Sequence, residues 1–328
     1  MRKLLVLLFL STLVRASTPT AVDVLIVVGA PGEATFGEAF TQSARDWIAA
    51  CDAAKKTYRL IESPAGQTNQ LAQLRDALSI QGDGDRELWM VLIGHGTFDG
   101  REAKFNLNGP DISAKEMGEL LAPIQRPLVL INTTSASAPF INALSSSNRI
   151  IVTATKSGYE ENYARFGAHI AKAITDLEAD LDKDGQVSVL EAFLGASRRV
   201  EDFYLSEKRL ATEHALLDDN GDGKGTPATF YSGMRPAKKP QEAAKVDGFR
   251  AHQLHFLPNE AEARLSPAVR KRRNELELEL ENARGRKEQL NEGDYLNLIE
   301  PILLELSRLY RDASTNNPAP PEPSNPPE

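Results

Sequence analysis

Short runs of consecutive apolar residues, each followed by glycine or small polar residues, constrain the fold of this chain most strongly. In two of them, Glu87–Ile93 leads into Gly94-His95-Gly96, and Pro127–Ile131 leads into the polar turn at 132–137. Such runs are typical of central strands in a parallel sheet that is covered on both faces. Ligands and chemistry collect at the carboxyl ends of these strands. His95 and the hydroxyls of the polar turn are therefore a candidate catalytic group.

Predicted strands and amphipathic helices alternate from Asp23 to about Asp176. This alternation predicts right-handed βαβ units, and hence an α/β fold with a mostly parallel sheet and helices on both faces. The glycine turn at 29–32 lacks the spacing of a dinucleotide-binding fingerprint, which argues against a nucleotide-binding domain. The predicted strands are Val24–Gly29, Tyr58–Glu62, Glu87–Ile93, Pro127–Ile131 and Arg149–Ala154, and the predicted helices are Gly37–Lys55, Asn69–Ser79, Ser113–Leu121, Pro139–Leu144 and Phe166–Ala179.

Residues 1–16 have the pattern of a cleavable signal peptide and predict a secreted or periplasmic protein. Arg2 and Lys3 precede the apolar run Leu4–Val14, and small residues follow it. The run is too short to span a bilayer comfortably, and no later segment is apolar enough to do so. Loss of Arg2, Lys3 and Arg15 lowers the net charge from −8 to −11, which argues against nucleic acid and anionic membrane surfaces as partners.

The twelve residues Asp180–Glu191 match an EF-hand calcium loop at every diagnostic position. Gly185 permits the sharp turn of such a loop, and Val187 takes its usual apolar position. Because hard oxygen ligands suit Ca²⁺, the pattern predicts calcium as a cofactor. The predicted ligands are the carboxylates of Asp180, Asp182 and Asp184, the backbone carbonyl of Gln186, Ser188 directly or through water, and both oxygens of Glu191.

A second acidic loop at 218–226 imitates the start of the same pattern. However, Thr229 stands where the closing glutamate belongs, and Pro227 hinders a smooth exit into a helix. We therefore favour a turn rich in Asx hydrogen bonds, with calcium binding left open.

The chain beyond residue 258 is predicted to form a helical hairpin at 266–312 and a disordered proline-rich tail at 313–328. Ser266 and Pro267 supply a cap and a proline at the first helical position. The hairpin either packs on the parent domain or docks another protein. An additional strand is predicted at Phe249–Leu257. Apolar positions of the hairpin are Val269, Leu276, Ala283 and Leu290 in its first helix, and Leu296, Ile299, Leu303, Leu306 and Tyr310 in its second, which Pro301 is expected to kink or restart.

These motifs together resemble the legumain branch of the caspase-like cysteine peptidases. The apolar strand into Gly94-His95-Gly96 resembles the family's histidine strand, and Leu128–Ile131 with its following turn resembles the nucleophile strand. Ala154-Thr155 and Glu160–Ala164 are similar to the stretches that line the specificity pocket. The resemblance covers about 22–177, and the acidic loops and the hairpin lie outside it. It implies that Thr155, Glu160 and Asn162 bind substrate. We expect the caspase-like domain to extend over 22–258 and to carry both acidic loops.

Departures from that family bear on activity. The family has Glu-Ala-Cys at the nucleophile turn, whereas this chain has Asn132-Thr133-Thr134, so Thr134 takes the position of the lost cysteine. The family's arginine-histidine pair, which helps to bind an asparagine side chain, falls near Gly37-Glu38. Cys51 is the only cysteine, and its amphipathic setting is typical of a small core residue. We therefore predict a secreted pseudo-peptidase, a calcium-stabilised scaffold that binds a peptide or protein without cleaving it.

Two alternatives stay open. An active hydrolase would use Thr134, Ser135 or Ser137 as nucleophile, His95 as base and the Gly96 amide as oxyanion donor, although no G-x-S-x-G elbow is present. A metal hydrolase would depend on His252 and His255, the sole close histidine pair, without an H-E-x-x-H motif.

Overall fold

The computed structural model describes residues 21–62, 67–238 and 246–316. The predicted signal peptide, residues 239–245 and residues 317–328 of the predicted tail lie outside the described residues. Strands are β1 Val24–Val28, β2 Tyr58–Ile61, β3 Leu88–Ile93, β4 Gly96–Phe98, β5 Ala103–Phe105, β6 Ile112–Ser113, β7 Leu128–Asn132, β8 Arg149–Thr153, β9 Leu216–Asp218, β10 Thr226–Pro227, β11 Tyr231–Ser232 and β12 Arg235–Pro236. Helices are α1 Ala34–Ala53, α2 Gln70–Ser79, α3 Ala114–Leu121, α4 Pro139–Leu144, α5 Phe166–Ala173, α6 Val189–Ser206, α7 Phe249–His252, α8 Glu260–Arg264, α9 Pro267–Arg284 and α10 Glu292–Asn316.

A seven-stranded sheet organises the chain, with strand order β10-β9-β8-β7-β3-β1-β2. Four pairs of neighbouring strands are parallel: β2 with β1, β1 with β3, β3 with β7, and β7 with β8. Strands β9 and β10 are antiparallel additions at one edge. The predicted α/β fold with a mostly parallel sheet is therefore confirmed. Successive side chains of a strand point to opposite faces, so Trp89 and Val91 of β3 enter one core layer while Met90 and Leu92 enter the other.

The core lies on both faces of this sheet. Helices α1, α5 and α6 cover one face, and α2, α3 and α4 cover the other. This arrangement explains why β1, β3 and β7 are buried along their whole length and read as continuous apolar runs. Among the described residues, no helix combines the length and the apolar character needed to cross a membrane.

The predicted strand at Phe249–Leu257 is wrong. Phe249–His252 form the short helix α7, and His255 contributes only an isolated antiparallel bridge to Ser188. The bridge is accompanied by a hydrogen bond from the Val189 amide to the Leu254 carbonyl, at 2.8 Å. The segment is thus attached to the predicted calcium loop rather than to the central sheet.

A distant carboxylate explains why α7 is a helix. Gly248 precedes it with a φ of 112°, a left-handed conformation that glycine adopts without strain. The Asp219 carboxylate then accepts a hydrogen bond from the Ala251 amide at 2.8 Å. A carboxylate at a helix start satisfies an amide that the helix itself cannot pair. Because Asp219 is remote in sequence, no local pattern predicts this contact.

The predicted helical hairpin is present as α9 and α10. The Ser266 side chain accepts a hydrogen bond from the Val269 amide, and Pro267 occupies the first turn, as the cap pattern predicts. Leu276, Leu280 and Leu306 form a small cluster of their own between the two helices. Helix α10 passes through Pro301 and ends at Asn316, so of the two expected effects of Pro301 the restart does not occur, and the predicted beginning of the tail at residue 313 is wrong.

Candidate functional site

The carboxyl ends of β1, β3 and β7 bring the predicted catalytic residues to one edge of the sheet. The chain runs from β1 to β2 on one side and then to β3 on the other, so a switch in strand order lies between β1 and β3. Open parallel sheets bind ligands in the crevice at such a switch. His95 follows β3 at this position, and its Nε2 lies 3.2 Å from the Pro31 carbonyl in the loop after β1.

His95 is held as a neutral, partly buried ring. A carbonyl can only accept a hydrogen bond, so its contact with Pro31 requires the proton on Nε2. Phe36 and Phe40 approach the imidazole edge-on, with ring centroids at 4.7 and 5.0 Å. Burial lowers the pKa of His95 below its ordinary value, an effect that the hydrogen bond to Pro31 opposes. Nε2 of His95 is thus engaged with the backbone.

Thr134, which the sequence resemblance assigned to the nucleophile position, is completely buried. Its hydroxyl donates to Oδ1 of Asn132 at 2.7 Å, and its amide donates to the same oxygen at 3.1 Å. The hydroxyl therefore closes a local turn at the end of β7. No hydrogen bond joins Thr134 to His95 among the described residues.

The other two candidate nucleophiles of the turn, Ser135 and Ser137, also have buried and engaged hydroxyls. Ser137 is fully buried, and its hydroxyl accepts a hydrogen bond from the Thr155 amide at 3.2 Å. Ser135 exchanges hydrogen bonds with Gly96: the Gly96 amide donates to the Ser135 hydroxyl at 3.2 Å, and that hydroxyl donates to the Gly96 carbonyl at 3.1 Å. The amide that was predicted to stabilise an oxyanion is consequently engaged with a side chain.

Aromatic side chains that the sequence analysis did not single out fill the crevice. Phe36 and Phe40 of α1 lie one helical turn apart, and both contact the ring of Tyr163. The remaining cavity there measures about 10 Å³ and is lined in part by Phe40, Thr133 and Tyr163. A cavity of this size is at the lower limit for holding a single water molecule. The i, i+4 spacing of the two phenylalanines was the available sequence signal.

The predicted substrate-binding residues separate into a buried and a surface set. Thr155 is fully buried, and its hydroxyl accepts hydrogen bonds from the amides after β7. Glu160 lies at the rim, where its carboxylate accepts from the His214 amide at 3.1 Å and contacts Nδ1 of the same histidine at 2.5 Å. Asn162 is exposed. Nearby Tyr159 is 76% exposed and packs edge-on against Phe98 of β4.

The predicted calcium loop gathers three carboxylates. Ligand oxygens of Asp180, Asp182 and Asp184 all lie within 4.8 Å of one another. Burial and the charges of Glu191 and Asp184 raise the pKa of Asp182, so the loop concentrates negative charge. Gly185 has a φ of 86°, as the sharp turn of such a loop requires. The carboxylates and the turn therefore fit a hard divalent cation.

Glu191 and Ser188 close this loop at the start of α6. Oε2 of Glu191 accepts from the Ser188 amide and hydroxyl, both at 2.8 Å, while the Ser188 hydroxyl accepts from the Glu191 amide. Oε1 of Glu191 accepts from the Leu181 amide at 2.7 Å. Both residues thus form a capping box that orders the loop. The predicted bidentate role of Glu191 would require its carboxylate to exchange these donors for the ion.

Gln186 joins the same loop to the chain beyond α7. Its side-chain oxygen accepts a hydrogen bond from the Asn259 amide at 3.0 Å, and its side-chain nitrogen donates to Asp184 at 2.9 Å. The side-chain amide is used in this way, which leaves the backbone carbonyl for the ligand role predicted from the sequence.

The second acidic loop forms the Asx-rich turns that its sequence favoured. The Asp222 amide donates to Oδ1 of Asn220, and the Lys224 amide donates to Oδ1 of Asp222. Asp247 holds the loop from inside, because Oδ1 of its buried carboxylate accepts the Asp219 amide at 3.0 Å. Within the described residues, only the first loop brings three carboxylate or histidine ligand groups together.

The histidine pair of the metal-hydrolase alternative lies beside the first loop. Nε2 of His252 is 3.7 Å from Oδ2 of Asp182, and His255 forms the bridge to Ser188. Both histidines line a cavity of about 430 Å³ between this loop and the hairpin. They do not join a cluster of three metal-ligating groups in the part of the chain that the structure describes.

Comparison with known proteins bears on the fold alone. No protein-family model matches the chain, and no curated protein matches it. Among solved structures, the chain is similar to the initiator caspase Dronc from Drosophila, with 14% identity and a TM-score of 0.40, over 62% of this chain and 81% of the caspase. It is also similar to protein GSU0716 from Geobacter sulfurreducens, with 10% identity and a TM-score of 0.39, over 61% and 93% of the two chains.

Proposed function

We propose that this protein is a legumain-related, caspase-like pseudo-peptidase, which binds a peptide or protein partner without cleaving it. One observation carries the proposal: Thr134, at the nucleophile position, is fully buried, and its hydroxyl donates to Asn132. A hydroxyl nucleophile needs a base within hydrogen-bond reach that is itself oriented by a third group. His95 instead donates to Pro31 and packs against phenylalanine rings.

The rim of the sheet edge is the surface that we propose for the partner. Tyr159 is highly exposed there although it is a large aromatic side chain, and Glu160 and Asn162 follow it in the sequence. Aromatic residues are enriched among the residues that dominate binding energy at protein interfaces. The crevice behind the rim is filled, so we expect recognition of an extended surface segment rather than insertion of one side chain into a deep pocket.

We propose that Ca²⁺ stabilises the fold through the loop Asp180–Glu191. The ion would offset the repulsion among the carboxylates of Asp180, Asp182 and Asp184. The Gln186 backbone carbonyl, Ser188 and Glu191 would complete its oxygen shell. EF-hand loops of extracellular modules typically bind at roughly 0.1–1 mM, which suits the secreted or periplasmic location that we propose from the signal-like residues 1–16.

An unbiased peptide-substrate screen on the purified protein tests the proposed lack of activity. We expect no cleavage by the wild-type protein or by His95→Ala, and no labelling by a fluorophosphonate probe, because the three candidate hydroxyls are internal. Cleavage by the wild type that disappears in His95→Ala would contradict the proposal and support the serine or threonine hydrolase instead.

A further inference from the structure

Helix α10 carries a strict heptad pattern. Leu296, Ile299, Leu303, Leu306 and Tyr310 are spaced alternately by three and four residues, the spacing of the apolar seam in a coiled coil. A seam of this length in a surface helix is normally covered by at least one other helix. In this chain α9 is the helix that packs along α10.

Helix α9 covers only part of this seam. Leu306 is buried between the helices, and Ile299 packs against the same cluster. By contrast, Leu296 is 50%, Leu303 is 43% and Tyr310 is 44% exposed. On the adjoining strip Leu304 is 48% exposed, so one face of α10 presents several large apolar side chains to its surroundings. Exposed apolar rows of this kind mark interaction surfaces.

Two charges of opposite sign lie on or beside this exposed face. Glu300 and Arg308 follow the i, i+4 row that also contains Leu296 and Leu304, and both are exposed. Neither forms an ion pair within 4.0 Å among the described residues. The charge of Arg308 does reach Glu305, three residues earlier, and adds to the hydrogen bond from Arg272 in lowering the pKa of that carboxyl. They are eight residues apart, about 12 Å along a helix, so they cannot reach each other within one chain.

We propose that a second copy of this chain covers the exposed face, with the two α10 helices packed antiparallel. A two-fold axis near Leu303 and Leu304 would bring Leu303 against its counterpart and Glu300 of each copy towards Arg308 of the other. A parallel arrangement would instead place the acidic first halves, with Glu292, Asp294 and Glu300, side by side. The charge pattern of α10 is therefore self-complementary only in the antiparallel sense, as an isologous interface requires.

Sedimentation equilibrium on the purified protein tests this proposal independently of catalysis and calcium. We expect a concentration-dependent mass that approaches twice that of one chain. Leu303→Glu places a charge at the axis and should leave the protein monomeric. Leu210→Glu is the matched control, because Leu210 is 91% exposed and lies outside the hairpin. It should leave the association unchanged.

A charge exchange tests the antiparallel contact itself. Glu300→Lys and Arg308→Glu should each raise the dimer dissociation constant, by about tenfold for a loss of ~1.4 kcal/mol. The double variant should restore dimerisation, since each new pair is again of opposite sign. Thermal melting and circular dichroism of every variant establish that the hairpin stays folded. A wild-type protein that is monomeric throughout, or that captures a different protein as a monomer, would overturn the proposal. So would a dimer that Leu303→Glu does not dissociate.

Discussion

Gly96 and Ser135 join the ends of two neighbouring central strands through two hydrogen bonds, one from the Gly96 amide to the Ser135 hydroxyl and one from that hydroxyl to the Gly96 carbonyl. A β-carbon at position 96 would lie 2.2 Å from the Ser135 carbonyl oxygen, so only glycine permits this approach. The amide of Gly96 was predicted as an oxyanion donor. The close packing against Ser135 explains the glycine at this position without reference to a substrate.

Ser135→Ala should destabilise the protein without creating or removing any peptidase activity. Both hydrogen bonds are buried, and each typically contributes about 0.5–1.5 kcal/mol. We expect the free energy of unfolding in urea to fall by roughly 1–3 kcal/mol. Ser79→Ala, which removes an exposed hydroxyl, should have little effect. Equal stability of the two variants would show that the Gly96–Ser135 contact contributes nothing.

Thr134→Cys should produce a protected thiol rather than an activated one. The site is fully buried, and burial raises the pKa of the native Cys51 thiol to about 12, which keeps it unreactive. We expect iodoacetamide to modify the new cysteine about as slowly as Cys51 in the folded protein, and both rapidly after unfolding. Mass spectrometry of the two peptides separates them, with Ser79→Cys as the exposed reference. Fast modification in the folded state would indicate an accessible active-site remnant.

Calcium should raise the melting temperature through the first acidic loop alone. At a concentration 100 times the dissociation constant, binding adds about 2.7 kcal/mol of stability. Asp182→Ala removes one predicted ligand oxygen while leaving the capping box of Glu191 intact, and should abolish most of the difference between calcium and chelator. Asp222→Ala is the control in the second loop. If chelator and calcium give the same melting curve for the wild type, the calcium proposal fails.

Asp247 should make stability depend on pH. Burial raises its pKa from 3.8 to about 8, so between these values the folded state holds a proton that the unfolded state releases. The free energy of unfolding therefore falls as pH rises through this window, by at most about 1.4 kcal/mol per pH unit. Asp247→Asn should flatten the profile, because the asparagine side chain does not titrate. The variant should stay folded, since the asparagine side chain can still accept a hydrogen bond from the backbone amide of Asp219 and contact Thr226. An unchanged profile would contradict the prediction.

The sequence predicted the elements of the central sheet because their signals are local. The strands β1, β3 and β7 are buried on both faces, so their apolar runs are continuous and easy to recognise. The antiparallel strand β9 was missed, since it is short and pairs with β8 across 65 residues of sequence at Val152 and Leu217. Long-range pairing of this kind leaves no periodic signal in a three-residue strand.

The candidate site was predicted less well than the fold. The order of the motifs correctly predicted that His95 and the polar turn after β7 lie at one edge of the sheet. It could not predict the hydrogen-bond partners of these side chains. The hydroxyl of Thr134 turns towards Asn132, and the ring of His95 turns towards Pro31. The ring of His95 also packs against Phe36 and Phe40, which lie on a helix that the motifs do not include.

Because of the bridge between Ser188 and His255, order in the first acidic loop also affects a neighbouring segment. Together with the hydrogen bonds from Val189 to Leu254 and from Asn259 to Gln186, it fastens the segment before the hairpin onto that loop. If an ion orders the loop, its withdrawal should loosen this segment first. We expect chelator to open a protease-sensitive point near residues 253–259, a stretch without lysine or arginine, where a broad-specificity protease would divide the chain into two pieces that each stay folded.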